Sequence, residues 1–321
     1  MKLKIKSPED AAKQTFASFL AFIKLRRKVL SIIAGFLSVS VILYTIYLVR
    51  SPVLIVTDFA FIPLYGEARI KEKTIKSSFL LFRRILTVQV ADEASDDIIR
   101  IAVNDVSSRP FCVIFPLRFA RSGKGYHEQN PEVPVIILEG RQKGSALSLI
   151  GTNECFIYDT DIYDEFYKAG KIAAALDNGK NGKIAVFLET DIQAQAIDVF
   201  LQGLNQLEKP LETHFFNDFS QFSESPAIED EPFSCVVLAG AGTEYLELNN
   251  GVPVIFLTWL DPFLLPSNVV LVIDDSPYTQ ILQAVRMAGA GVQSGQLKSK
   301  FQFFRGIDID GKTLRKIRKY G

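Results

Sequence analysis

Nine short apolar runs limit what this chain can fold into more than any other feature. They read VLIVTD (53–58), LTVQV (86–90), FCVIF (111–115), PVIILEG (134–140), CFIYD (155–159), KIAVFLE (183–189), SCVVLAG (234–240), PVIFLTW (253–259) and NVVLVID (268–274). Val, Ile, Leu and Phe dominate them, with little alternation of period two. That is the pattern of strands covered on both faces. Between them lie helix candidates near 65–82, 94–105, 161–177, 191–207 and 277–289. Alternating strands and helices predict an α/β fold of parallel sheets with helices on both faces.

The alternation occurs twice, from Val53 to about Asp159 and from about Lys183 to Trp259. This predicts two Rossmann-like lobes. In the passage between them, Thr160 or Asp161 is positioned to cap a helix, and Asp164 and Glu165 suit its first turn. Ala169, Gly170, Ala173, Ala174 and Ala175 form a small-residue face suited to close packing on a sheet. NGKNGK is a turn cluster ahead of the next strand.

Ahead of the first run, Val29 to Val49 carry no charge. About twenty apolar residues cross a bilayer core, and Tyr44 and Tyr47 sit where interfacial aromatics belong. The expectation is a transmembrane helix over 29–49 behind a basic tail, 1–28. Lys24, Arg26, Arg27 and Lys28 precede the span, and Arg50 stands alone after it. That asymmetry places the N-terminus inside and the globular part outside, periplasmic or extracellular, on a single-pass cytoplasmic membrane protein. No A-x-A site follows, so an uncleaved anchor in contact with membrane lipid is expected. Pro52 separates the span from the first strand.

Lys plus Arg and Asp plus Glu both number 36, so no global field invites nucleic acid. Three widely spaced cysteines, Cys112, Cys155 and Cys235, lie in or beside apolar runs and read as buried thiols. The two histidines, His127 and His214, are far apart. No metal spacing, nucleophile–base pair or G-x-S-x-G is visible, so neither metal, cofactor nor enzyme activity is expected. The polar stretches 120–134 and 220–233 read as exposed connections.

The block YKAGKIAAALDNGKNGKIAVFLE resembles the hinge-to-second-lobe passage of type I periplasmic binding proteins. The basic membrane lipoprotein, or purine-nucleoside-binding, branch is the nearest likeness. FSCVVLAGAGTEY looks like that branch's strand and Gly-rich turn. PVIFLTWLDPFLLPSNVVLVIDDSPYTQILQAVRMAGAG looks like its late strand, acidic turn and return helix. The resemblance covers about residues 53 to 320. It implies a clam-shell with a first lobe of 50–160 and 268–292 and a second lobe of 161–267 and 293–321. It also implies that Asp261 is the acid available for ribose hydroxyls.

Independently of that likeness, ligands of open parallel sheets bind beyond the carboxyl ends of the strands. This rule selects Asp58, Phe59 and Phe61 after the first strand, Glu139 after the fourth, and Tyr158 and Asp159 on the fifth. In the second lobe it selects Glu189, Asp191, Gly240, Gly242, Trp259 and Asp261, and at the returning strand Asp274, Asp275 and Ser276. Asp58 and Asp274 are equally placed to cap the helices that follow. Acids and aromatic faces suit a neutral polyol, a nucleoside or a cation better than a phosphate. The sequence therefore predicts a membrane-anchored solute-binding or sensing protein. It closes two lobes over a nucleoside- or sugar-like ligand, and an ABC permease or companion membrane protein would read the closed form. The alternative is a degenerate relative that kept the fold, lost its ligand and serves as a scaffold.

Overall fold

The computed structural model describes residues 33–59, 61–151, 154–177, 182–189, 192, 194–205, 211–225, 233–248, 251–258, 265–304 and 309–320. Two units are distinguished: residues 1–50 with 82–84, and the rest of the chain. In the first, residues 33–49 are helical and their apolar side chains are exposed, Phe36 by 75% and Leu37 by 61%. Arg50 lies over the Phe82 ring at 5.2 Å. Among the described residues no helix is long and apolar enough to cross a membrane. They do not supply the span expected over 29–49, whose first four residues lie outside them. The tail 1–28 lies outside them altogether.

The second unit contains two six-stranded sheets. The first is built from β1 (Val53–Asp58), β2 (Ile85–Val90), β3 (Cys112–Pro116), β4 (Val135–Gly140) and β5 (Phe156–Thr160). The second is built from β6 (Lys183–Leu188), β7 (Thr213–Phe216), β8 (Phe233–Ala239), β9 (Val254–Phe256) and β10 (Val269–Asp274). Two short strands, β11 (Ser294–Leu297) and β12 (Lys300–Phe303), complete them. The orders are β11-β5-β4-β3-β1-β2 and β12-β10-β9-β8-β6-β7. All pairings are parallel except that of β12 with β10.

The expected continuous burial is present in part: β2 exposes Gln89, and Phe156 and Ile157 of β5 are half-buried. Every residue of β1, β6 and β10 is buried, and helices cover both faces of each sheet. A fully buried Val, Leu or Ile contributes about 1.5–3 kcal/mol, so these runs hold the lobes together. The three cysteines are buried free thiols.

The lobe boundary differs from the sequence expectation. That expectation puts residues 268–274 in the first lobe, but β10 pairs with β9 and β12 in the second sheet. The chain crosses back only after Asp274, and helix Pro277–Gly289 then packs on the first lobe beside helix Glu67–Leu81. Residues 293–321 are also divided: β11 joins the first sheet beside β5, and β12 the second. Crossings at 160–162, 274–277 and 297–300 therefore link the lobes. Period and composition make a strand without naming its sheet, so a boundary one strand away was equally compatible with the sequence.

Residues 120–134, expected as a loop, contain helix Ala120–Gln129, whose buried Ser122, Gly123 and Tyr126 pack inward. Its two glycines and lack of aliphatic residues hide a helical period from the sequence. The small-residue face of helix Ile162–Asp177 meets a helix as well as the sheet. A Cβ on Gly170 would stand 2.2 Å from the Phe200 carbonyl oxygen, and one on Gly203 would stand 2.3 Å from that of Tyr167. The facing glycines bring helices Ile162–Asp177 and Ala194–Leu204 into backbone contact. Because the obstacle is backbone, Gly170→Ala is expected to destabilise by about 1–3 kcal/mol. Gly125→Ala, with nothing near its added methyl, should be neutral or stabilising by up to about 1 kcal/mol. Denaturant melts of the two variants check this; equal stabilities would refute the close helix crossing.

Candidate functional site

In both sheets the strand order reverses beside the first strand of the lobe. The reversal falls between β1 and β3 in one lobe and between β6 and β8 in the other. At such a point the loops leave in opposite directions and open a crevice. A cavity of 910 Å³ lies against both crevices. Pro116, Leu117 and Arg118 line it from the end of β3, and Glu189 and Gly240 from the ends of β6 and β8. Glu139 belongs to the end of β4, and Arg141 and Gln142 follow it. Thr258 follows β9, and Asp275, Pro277 and Gln280 follow β10. An adjoining pocket of 380 Å³ shares Arg141, Gln142 and Glu189, and adds Lys143, Asp159 and Tyr163.

Several lining groups are held by their surroundings. Arg118 ion-pairs with Asp58 and lies 3.2 Å from Asp92. The Asp58 carboxylate also accepts from the Phe61 amide at 2.7 Å, capping the helix that follows β1. Asp58 thus supports Arg118 instead of lining the cavity. Glu139 accepts from the Gly144 and Ala146 amides at 3.0 and 2.7 Å, which ties down the loop that carries Arg141. Gly240 has φ +89°, and a Cβ there would meet the Glu189 carboxylate at 2.6 Å. Glycine is required at this position on both counts.

Arg141 spans the lobes. It leaves the first sheet after β4 and donates to Glu165, in helix Ile162–Asp177, at 3.0 and 3.3 Å. It also stands 3.7 Å from Asp275 at the second crossing. Glu165 is 1% exposed. Burial pushes its carboxyl up to about 7, the pull of Arg141 opposing and the charge of Asp275 adding to the rise. Burial likewise raises Asp275 and Asp159, against Arg141 and Lys143 respectively. The charges of Glu165 and Asp275 hold the Arg141 guanidinium above its usual value, more than offsetting its burial.

The remaining predicted positions fall elsewhere. Asp274 is fully buried and does not line the cavity: it receives Lys73 at 2.8 Å, Tyr65 at 3.1 Å and Ser276 at 2.8 Å. The Tyr158 hydroxyl donates to the Val292 carbonyl at 2.6 Å. Phe61 stacks on Tyr65 and Tyr278. Phe59, 58% exposed, lines a separate pocket beside helix Glu67–Leu81. Gly242 is a packing position, where a Cβ would stand 2.2 Å from the Phe187 ring. Asp191, Trp259 and Asp261 lie outside the described residues. Of the predicted set, Glu139, Glu189, Gly240 and Asp275 thus line the main cavity and Asp159 its neighbour.

Sequence reasoning missed Arg118, Arg121, Arg141 and Gln280. Arg118 and Arg141 sit one or two residues past the strand ends on which the crevice rule stops. No aromatic side chain lines the main cavity among the described residues.

No family model matches the chain, and no curated protein matches it. Solved structures do. A transcriptional activator of the comK gene from Bacillus halodurans superposes with a TM-score of 0.57 at 16% identity, over 84% of this chain and 95% of that one. An ABC transporter periplasmic solute-binding protein from Actinobacillus succinogenes, solved with D-allose, gives 0.51 at 13% identity over 79% and 98%. The arabinose-binding protein AraP from Geobacillus stearothermophilus gives 0.51 at 12% identity over 79% and 97%. The chain has the two-lobed fold of type I periplasmic binding proteins. At these identities the likeness is one of fold, and it does not reach the nucleoside branch.

The raised Glu165 has a definite consequence for stability. A carboxyl whose folded value, about 7, exceeds its ordinary 4.5 stabilises the fold below the lower value, and that stability is lost as pH rises through the upper one. The melting temperature is expected to fall between pH 5 and 8. Glu165→Gln should make the fall shallower without abolishing it, since Asp275 and Asp159 act in the same direction. A slope unchanged by the substitution would show that Glu165 titrates normally.

Proposed function

We propose that this protein is a receptor for a small polar solute, which it holds between its lobes without making or breaking a bond. The observation that carries the reading is the 910 Å³ cavity at both strand-order reversals, lined from both lobes by groups that donate and accept hydrogen bonds. Ligand touching both walls favours the closed arrangement only through that double contact. Arg118, Arg121 and Gln280 face it from one side and Glu189 and Thr258 from the other. Planar guanidinium, amide and carboxylate groups are the usual partners of sugar hydroxyls. The proposed ligand is accordingly sugar- or nucleoside-like, and the sugar-binding proteins of the same fold support that class.

A cleft filled by the chain's own Phe and Leu side chains would support the scaffold alternative. An open cavity lined by charged groups weighs against it. Thermal melts with pentoses, hexoses, nucleosides and polyamines provide the test, because a ligand that binds only the folded state must raise the midpoint. One class is expected to add about 2.7 kcal/mol at a hundredfold excess over Kd. Glu189→Ala should remove the response. No shift with any class would refute the receptor reading.

The reading includes a membrane anchor over 29–49, with the lobes outside the cytoplasm and a membrane partner sensing closure. Its support is the charge-free run, the basic flank before it, and the helical, exposed apolar residues 33–49. Full-length protein is expected in the membrane fraction, resistant to alkaline carbonate and released by detergent. Recovery in the soluble fraction would refute the anchor and leave the cleft untouched.

A further inference from the structure

A second pocket, 300 Å³, shares no lining residue with the cleft. It lies where helix Glu67–Leu81 and helix Pro277–Gly289, both of the first lobe, meet the third crossing at 298–300. Five cations line it: Lys73 and Lys76 from the first helix, Arg286 from the second, and Lys298 and Lys300 from the crossing. No carboxylate lines it among the described residues. The cleft is different, since there each kind of charge meets its opposite.

Of the five, Lys73 has its charge answered among the described residues, by the buried Asp274 at 2.8 Å. Burial nevertheless lowers its affinity for a proton, and the nearby charges of Arg69 and Lys300 act in the same direction. Lys76, Arg286, Lys298 and Lys300 are exposed. Scattered surface lysines need no explanation, since each is solvated and screened. Five cations converging from three elements on one concavity form a field that concentrates anions.

We infer that this basic pocket at the third interlobe crossing binds a phosphate-bearing anion. A compact, multiply charged group satisfies several cations at once. A phosphorylated solute and a phospholipid headgroup share this chemistry. The crossing supplies two of the five cations, so a bound anion ties it to both first-lobe helices and biases the hinge. The site is independent of the cleft, and its response to phosphate does not depend on whether a cleft ligand exists.

The experiment uses the full-length chain and its Arg286→Glu/Lys298→Glu variant, both changes being at exposed positions. Pyrophosphate is expected to raise the melting temperature by roughly 5 °C at a hundredfold excess over Kd. Sodium chloride at equal ionic strength should not, and the double variant should lose the response. Lys76→Glu, on a different element, should weaken it on its own. Vesicles of phosphatidylcholine with and without phosphatidylglycerol identify the source. Extra protection by phosphatidylglycerol that the variant loses assigns the site to a headgroup. Protection by pyrophosphate alone assigns it to a soluble phosphate. No response to either, or an equal response in wild type and double variant, overturns the inference.

Discussion

The relation between the lobes depends on one buried carboxylate. Asp274 ends β10 in the second sheet, has no exposed surface, and receives Lys73 and Tyr65 from the first lobe and Ser276 from the crossing itself. Burial by itself would make its charge costly. Lys73, Thr279 and Ser276 reverse that and hold the carboxyl below the usual range. Removing one partner of such a pair leaves an uncompensated buried charge, typically at about 3–5 kcal/mol. Since Ser276 also caps helix Pro277–Gly289, the same cluster sets both the direction of the crossing and the start of the helix it feeds.

Around that fixed point the cleft is built from topology. Reversal of strand order beside β1 and β6 places two crevices face to face, and the crossings keep them in register. The acids at the strand ends then divide by task. Asp58 and Glu139 satisfy backbone amides and position their neighbours. The groups left facing the cavity come from the loops beyond. A carboxylate beside a helix start is drawn to the unpaired amides there, which is why several strand-end acids are occupied before any ligand arrives.

Arg141 adds a second contact between the lobes. It reaches from a first-lobe loop to Glu165 and Asp275 across the cavity wall. Its two acids are both raised by burial against the pull of the arginine. The same residue lines both the cavity and its smaller neighbour.

What the sequence determined by itself was most of the elements, though not helix Ala120–Gln129 or strands β7, β11 and β12. The nine apolar runs contain strands, the unbroken burial of β1, β6 and β10 follows from composition, and their alternation with helices implies two mainly parallel sheets. Asp161 caps helix Ile162–Asp177, as its position implied. These are local properties, set by side-chain period and backbone hydrogen bonding. Tertiary structure alone decided which sheet receives β10, that Asp274 bonds to Lys73, 201 positions earlier in the chain, and that Arg118 and Arg141 face the cavity. An acid at a strand end reads the same whether it caps a helix, supports an arginine or meets a ligand. Only the neighbours brought to it through space assign the role, because the energy of a buried charge depends on its partners and not on its place in the chain.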